Sequence, residues 1–193
     1  MAYKLPYEKV QILNQEDIDW LIKYYDTLHK NRIQRYYNLF YSYKAEIMDN
    51  PPEWDAIRKK LELAGGNHYS YSNYFMNYEY PAFVRKHSDN AVDVCKTIVT
   101  CLDKTECEGG ETIVYANHHK DDFYDHLWRR EPEDWNIYRD GDDALYSDII
   151  PHVIKQEVGD SLIYDRNTMH EVSQVMKGRR LVLITWLRNE KKN

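Results

Sequence analysis

His87-Ser88-Asp89 sets an imidazole and a carboxylate two positions apart, and about eighty residues further on His170 offers a second imidazole. Two histidines and one acid are the donor set of the facial triad that holds non-haem Fe(II) with coordination positions open for a co-substrate and O₂. The spacing carries a geometric condition. In an extended segment the side chains at i and i+2 point to the same side, so His87 and Asp89 can enter one cavity. On a helix they would stand about 200° apart around the axis. His-x-Asp also arises as a surface turn, so its surroundings decide.

The far end of the chain supplies those surroundings. From Arg180 the residues alternate, with Arg180, Val182, Ile184 and Trp186 on one face and Leu181, Leu183 and Thr185 on the other. Whichever face is inward, the run is nearly all apolar around one arginine. If Arg180 points inward its charge needs an anionic partner, because an unpaired buried charge costs several kcal/mol. A dicarboxylate would supply one through two parallel hydrogen bonds; an Asp or Glu at the strand mouth is the alternative. A hairpin turning at Lys177-Gly178 would lay the His170 run, His170 to Val175, beside the Arg180 run. Ligand and arginine would then share a cavity.

The elements that must position these residues follow from periodicity and turn signals. Asn14 followed by Glu16 and Asp17 predicts a helix start, with Ile18, Leu21, Ile22, Tyr25 and Leu28 at helical spacing. A second helix is expected from Asn50-Pro51-Pro52-Glu53 to Gly65-Gly66, burying Trp54, Ile57 and Leu61. After Gly66 short Tyr-, Val-, Ile- and Thr-rich runs predict strands. They fall at Tyr69 to Tyr80, Phe83 to His87, Ala91 to Leu102, Thr112 to Tyr115, His152 to Gln156, Ser161 to Tyr164, His170 to Val175 and Arg180 to Leu187. The segment from Ala116 to Ser147 fits neither pattern and reads as a long lid or binding loop. Helices first and strands after predict a mainly β protein with flanking helices, an antiparallel barrel or sandwich buttressed on one face.

Composition narrows the function classes. No Gly/Ser- or Pro-rich linker interrupts the 193 residues, which predicts a single domain. The net charge of −6 lies in mixed-sign runs, with no clear nucleic-acid face. No apolar stretch approaches the ~18 residues of a membrane span, and Met1 to Pro6 lacks a signal-peptide run. Three cysteines, an odd number without a C-x-x-C pair, argue against a disulfide framework and for a reducing, cytoplasmic location. Eighteen tyrosines suit either an aromatic binding surface or β-rich packing with polar tips. His118, His119, Asp122 and His126 could be drawn as a second metal site, but lie in a polar loop where solvation is the default. His29, His68 and His152 have no partner by spacing.

Several motifs then fall in one order. Val84 to Asn90 carries the first histidine and the acid. Leu102-Asp103-Lys104 is followed by Gly109-Gly110-Glu111-Thr112, and Val158 to Tyr164 forms a Gly-Asp strand. His170-Glu171-Val172, Arg180 and Trp186 close the set. Over residues 69 to 188 this order resembles the Fe(II)/2-oxoglutarate-dependent dioxygenases, in their prolyl-4-hydroxylase-like branch. The resemblance implies a double-stranded β-helix (jelly-roll, cupin-like) core over 67–188, with an insertion at 116–147 and helical support from 1–66. It implies Fe(II) on His87, Asp89 and His170, and Arg180 on the distal carboxylate of 2-oxoglutarate, with Arg179 the competitor. It brings Tyr78 and Thr112 forward as cofactor contacts. Two positions depart from the family pattern: Cys101, often aromatic there, and Val84.

The implied reaction consumes 2-oxoglutarate and O₂, releases succinate and CO₂ and hydroxylates an unactivated C–H, with ascorbate an optional auxiliary. A prolyl or other peptidyl residue is the first substrate expectation, and a free amino acid or other small metabolite the second. A cupin-like isomerase or sugar-binding barrel would share the architecture, but usually takes more histidines and a Glu and does not require Arg180.

Overall fold

The computed structural model describes residues 5–36, 39–89, 94–116 and 150–189. Helix α1 (Gln15–Thr27) opens on Asn14, whose Oδ1 accepts the Asp17 N–H at 2.9 Å while the Asp17 carboxylate accepts the Asn14 N–H at 3.1 Å. This reciprocal box satisfies donors that a helix start otherwise leaves orphaned. Helix α2 (Pro52–Ala64) starts on prolines that suit a first turn and ends at Gly65, where a side chain would collide with Leu187. Lys60 on α2 reaches Asp17 on α1 at 2.6 Å. The buried stripes, Ile18, Leu21 and Tyr25 with Trp54, Ile57 and Leu61, pack with Phe75, Ile98, Leu102, Leu181 and Leu183 into one apolar cluster.

The strands are β1 (Tyr7–Gln11), β2 (Asn31–Tyr36), β3 (Leu39–Glu46), β4 (Tyr69–His87), β5 (Lys96–Asp103), β6 (Glu108–Gly109), β7 (Thr112–Ala116), β8 (Ile150–Ile154), β9 (Asp160–Asp165), β10 (His170–Val172), β11 (Val175–Lys177) and β12 (Arg179–Arg188). Ten of them form one antiparallel sheet in the order β1-β9-β5-β12-β4-β10-β7-β8, with β3 also on β4 and β2 on β3. β6 and β11 make a separate ribbon. The long sheet curls until its ends approach. The ring of Tyr7 on β1 meets that of His152 on β8 edge-on at 6.0 Å, and Lys9 Nζ donates to the Lys155 carbonyl at 3.1 Å. The result is the jelly-roll half-barrel expected from the sequence. Its inner face carries Met76, Tyr78, Val99, Leu162, Tyr164 and Val182. Alternation along β12 therefore sends Leu181, Leu183 and Leu187 to the helices and Val182 and Ile184 to the barrel interior.

Three expectations change. Residues 1–66 are not wholly helical support, because β1, β2 and β3 lie there. Tyr7–Gln11 is exposed on four of its five residues, so no apolar alternation marks it, and it becomes a strand by pairing with β9. Two runs expected on either side of Pro81 are one 19-residue strand, β4, which continues through a cis Tyr80–Pro81 bond. The run from His170 to Val175 is divided between β10 and β11, which pair with different strands and neither with β12, so the expected hairpin pairing of the His170 and Arg180 runs is absent and β4 stands between β10 and β12. Of the expected 116–147 insertion, residues 117–147 lie outside the described residues, as do His118, His119, Asp122 and His126. Among the described residues no helix is long and apolar enough to cross a membrane.

Candidate metal centre and anion pocket

His87 closes β4, Asp89 follows two residues on, and β10 runs antiparallel to that end with His170 as the cross-strand partner of His87. The two imidazole centroids are 4.2 Å apart, and the ligand atoms of the three residues all lie within 4.8 Å of one another. Asp89 bridges the pair, with Oδ1 at 3.5 Å from His87 Nε2 and Oδ2 at 3.8 Å from His170 Nε2. The opposite ring nitrogens are held by backbone: Nδ1 of His87 contacts the Arg85 carbonyl at 2.8 Å, and Nδ1 of His170 the Thr168 carbonyl at 3.0 Å. A carbonyl only accepts, so each Nδ1 carries a hydrogen, and in the neutral tautomer that this selects, the Nε2 lone pair faces the carboxylate. A cation among these lone pairs relieves their mutual repulsion. Such hydrogen bonds behind the ligands fix ring orientation in metal sites.

Thr97, on the inner side of β5, donates to Asp89 Oδ2 at 2.6 Å. Burial by itself raises the Asp89 carboxyl, but His170, His87 and the Thr97 hydroxyl outweigh it and bring the group down to about 2. Burial, reinforced by His87, pushes His170 down to about 4 against the pull of Asp89. At neutral pH the acid is ionised and His170 neutral, the forms that bind metal. Tyr164 packs its ring 4.6 Å from that of His170, and burial holds its phenol well above the usual range. Among the described residues no other group of His, Cys, Asp and Glu gathers in this way.

Arg180 lies opposite Tyr78 across the β12–β4 pair and is 2% exposed. Its Nη1 donates to the Gly110 carbonyl at 2.7 Å, and its Nη2 to Thr112 Oγ1 at 2.9 Å and Gln156 Oε1 at 2.5 Å. Every one of these acceptors is neutral. Among the described residues no carboxylate forms an ion pair with Arg180, whereas Arg179 is turned outward onto Asp103 with Nη2–Oδ2 at 2.6 Å. The Tyr78 ring centroid stands 6.0 Å from the Arg180 guanidinium. Burial raises its phenol to about 12, with Arg180 pulling down and Asp89 pushing up, so Tyr78 senses both the carboxylate and the guanidinium. Gly109 and Gly110 have φ of +76° and +70°, and a side chain on Gly109 would strike the Gln174 carbonyl. Glycine thus lets the backbone bring a carbonyl to Arg180. Cys101, at the departing family position, is fully buried, and burial pushes its thiol up against the pull of Arg180; Val84 is buried on the inner face.

The structure thus gathers His87, Asp89 and His170 in one cluster, and Arg180, Tyr78 and Thr112 around one buried charge. Sequence reading missed Thr97, Gln156 and Tyr164. Gln156, which follows β8, is 3% exposed yet stands between Lys155 and Glu157, so nothing local marks it as buried. His152, without a partner by spacing, packs on Tyr7 where the sheet ends meet.

No family model matches the chain. A PKHD-type hydroxylase of Caulobacter vibrioides (strain ATCC 19089 / CIP 103742 / CB 15) is 33% identical over 64 residues, covering 33% of this chain and 26% of that protein. The match therefore spans about a quarter of the curated relative. A Pseudomonas putida prolyl-4-hydroxylase superposes with a TM-score of 0.63 at 16% identity, over 96% of this chain and 94% of the other. The non-haem alpha-ketoglutarate-dependent carbocyclase SnoK from nogalamycin biosynthesis gives 0.68 at 13% identity, over 95% and 79%. These likenesses establish the jelly-roll fold.

Proposed function

We propose that this chain is an Fe(II)- and 2-oxoglutarate-dependent oxygenase that hydroxylates an unactivated C–H, releasing succinate and CO₂. The observation that carries the reading is Arg180, a buried guanidinium whose hydrogen-bond acceptors among the described residues are all neutral, on the same inner barrel wall as a His-Asp-His cluster. A buried cation without a counter-ion is costly unless a bound anion completes it. The likeness to a PKHD-type hydroxylase supports the same assignment.

The residues divide the work. His87, Asp89 and His170 would hold the iron, and Thr97 together with the Arg85 and Thr168 carbonyls keeps their donor atoms aimed. Arg180 would take the distal carboxylate of 2-oxoglutarate, with the Thr112 hydroxyl and the neutral Tyr78 phenol beside it. Val182 and Leu162, buried in the same cluster as Tyr78, give the inner wall its apolar surface. Bound Fe(II) would supply the O₂ chemistry, and no side chain is needed as a general base. We assign the chain to one domain, and we place it in the cytoplasm, which its free thiols at Cys95, Cys101 and Cys107 suit.

The substrate is proposed as a prolyl or other peptidyl residue, with a free amino acid or small metabolite as the second choice. Fold likeness alone does not choose, since the similar structures include a prolyl-4-hydroxylase and a carbocyclase. Succinate formation from 2-oxoglutarate with Fe(II), measured against proline-containing peptides and free amino acids, tests the assignment. Stimulated turnover by the wild type that is lost in His170→Ala supports it. Equal turnover by that variant contradicts it.

A further inference from the structure

We infer that Gln156 is a positioning residue for the co-substrate: it fixes the Arg180 guanidinium with a neutral oxygen, so that among the described residues the guanidinium has no ion-pair partner until a carboxylate arrives. The inference rests on the oxygenase reading above. Its basis is the way the Gln156 amide is held. Nε2 donates to the Val99 carbonyl at 3.0 Å and to the Asp160 carbonyl at 3.1 Å, tying the side chain to β5 and to the start of β9. Two carbonyls around one end of the amide admit only the NH₂ group there, so Oε1 must face the other way. There it accepts from Arg180 Nη2 at 2.5 Å and from the Thr112 hydroxyl at 3.2 Å.

The choice of an amide has a chemical consequence. Arg180 is almost wholly buried, and among the described residues its hydrogen bonds go to the Gly110 carbonyl, the Thr112 hydroxyl and this amide, with the Cys101 thiol beside it and no carboxylate in an ion pair. A glutamate of the same shape at 156 would bring an internal carboxylate to the guanidinium. The pocket would then be neutral before any ligand entered, and a second carboxylate would meet repulsion from the first. Gln156 supplies the orientation that a glutamate would supply without neutralising the pocket. The pocket should therefore select keto acids by their distal negative charge.

The test compares two ligands on nickel-loaded protein by calorimetry: 2-oxoglutarate, and 2-oxopentanoate, which has the same chain length without the distal carboxylate. Wild type should prefer 2-oxoglutarate strongly. In Gln156→Glu that preference should fall at least tenfold, because only the dicarboxylate meets the new charge, and kcat at saturating 2-oxoglutarate should change less than KM. A merely structural role would weaken both ligands equally. If Gln156→Glu keeps the wild-type preference, or loses both affinities in proportion, the inference is overturned. Gln156→Met, which removes the acceptor without adding charge, covers the case in which the glutamate variant does not fold. It should lower the preference at least threefold through a loosened Arg180, and an unchanged preference overturns the inference. Wild type that binds neither keto acid fails at an earlier step, since that result removes the oxygenase reading itself.

Discussion

Replacing Arg180 by methionine removes the charge and keeps an apolar stem of similar reach, and its two consequences differ in size. On the ligand side, the bound carboxylate would be left without its partner in a desolvated pocket. Truncating one member of a buried, hydrogen-bonded charge pair costs about 2–5 kcal/mol. At about 1.4 kcal/mol per decade the Kd for 2-oxoglutarate should rise roughly 30- to 4,000-fold. On the protein side, the guanidinium is 2% exposed and pairs with no carboxylate among the described residues, so its removal also removes a desolvation cost. The Gly110 carbonyl, the Thr112 hydroxyl and the Gln156 amide oxygen lose a donor, at about 1 kcal/mol each. These effects oppose one another, and the unfolding free energy should change by less than about 2 kcal/mol, below the 3–5 kcal/mol lost when a true buried ion pair is broken. Calorimetric titration of nickel-loaded protein gives the first quantity and urea denaturation the second. Arg179→Met is the control: it breaks an exposed pair with Asp103 worth about 0–1 kcal/mol and should leave the Kd unchanged. A Kd for Arg180→Met within threefold of wild type, or the loss appearing in Arg179→Met instead, would mean that Arg180 does not hold the distal carboxylate.

Thr97→Val removes the hydroxyl that holds Asp89 Oδ2 and should weaken metal affinity about 10- to 100-fold with little change in melting temperature, read by competition with a chromogenic chelator. Unchanged affinity would mean that Asp89 needs no such restraint. His170, pushed from its ordinary 6.5 to about 4, gives a pH signature in the metal-free protein. The unfolded chain takes up a proton below about 6.5 while the fold refuses it until about 4, so stability should be full above that window and fall by about 3 kcal/mol as pH drops through it. Denaturation midpoints should show this slope in wild type and not in His170→Leu; an equal slope in both counts against it. Trp54→Ala, at a side chain 1% exposed beneath the sheet, should cost about 3–5 kcal/mol of stability and leave metal stoichiometry at one per chain in the protein that folds.

The residues legible in the sequence were those whose types are scarce inside a protein. An arginine opening an apolar alternation marks itself, and the same alternation favours Arg180 while leaving Arg179 as its competitor. His87 and Asp89 were legible through their two-residue step, although Asp89 lies just past the end of β4 and not within it. The cross-strand pairing of His87 with His170 depends on how β4 and β10 meet, which no local pattern records. Thr97, Gln156 and Tyr164 escaped for a related reason: threonine, glutamine and tyrosine occur throughout ordinary strands, and only their burial against particular partners gives them a role. Strands β1 to β3 escaped because their order comes from β9 and β4, far along the chain.

Anaerobic titration of the protein with Fe(II) and 2-oxoglutarate, followed by visible absorption, asks whether one barrel wall binds both together. Wild type should show a weak charge-transfer band that needs metal and keto acid at once and disappears in Asp89→Ala. No band in the wild type, or its survival in that variant, would contradict joint binding.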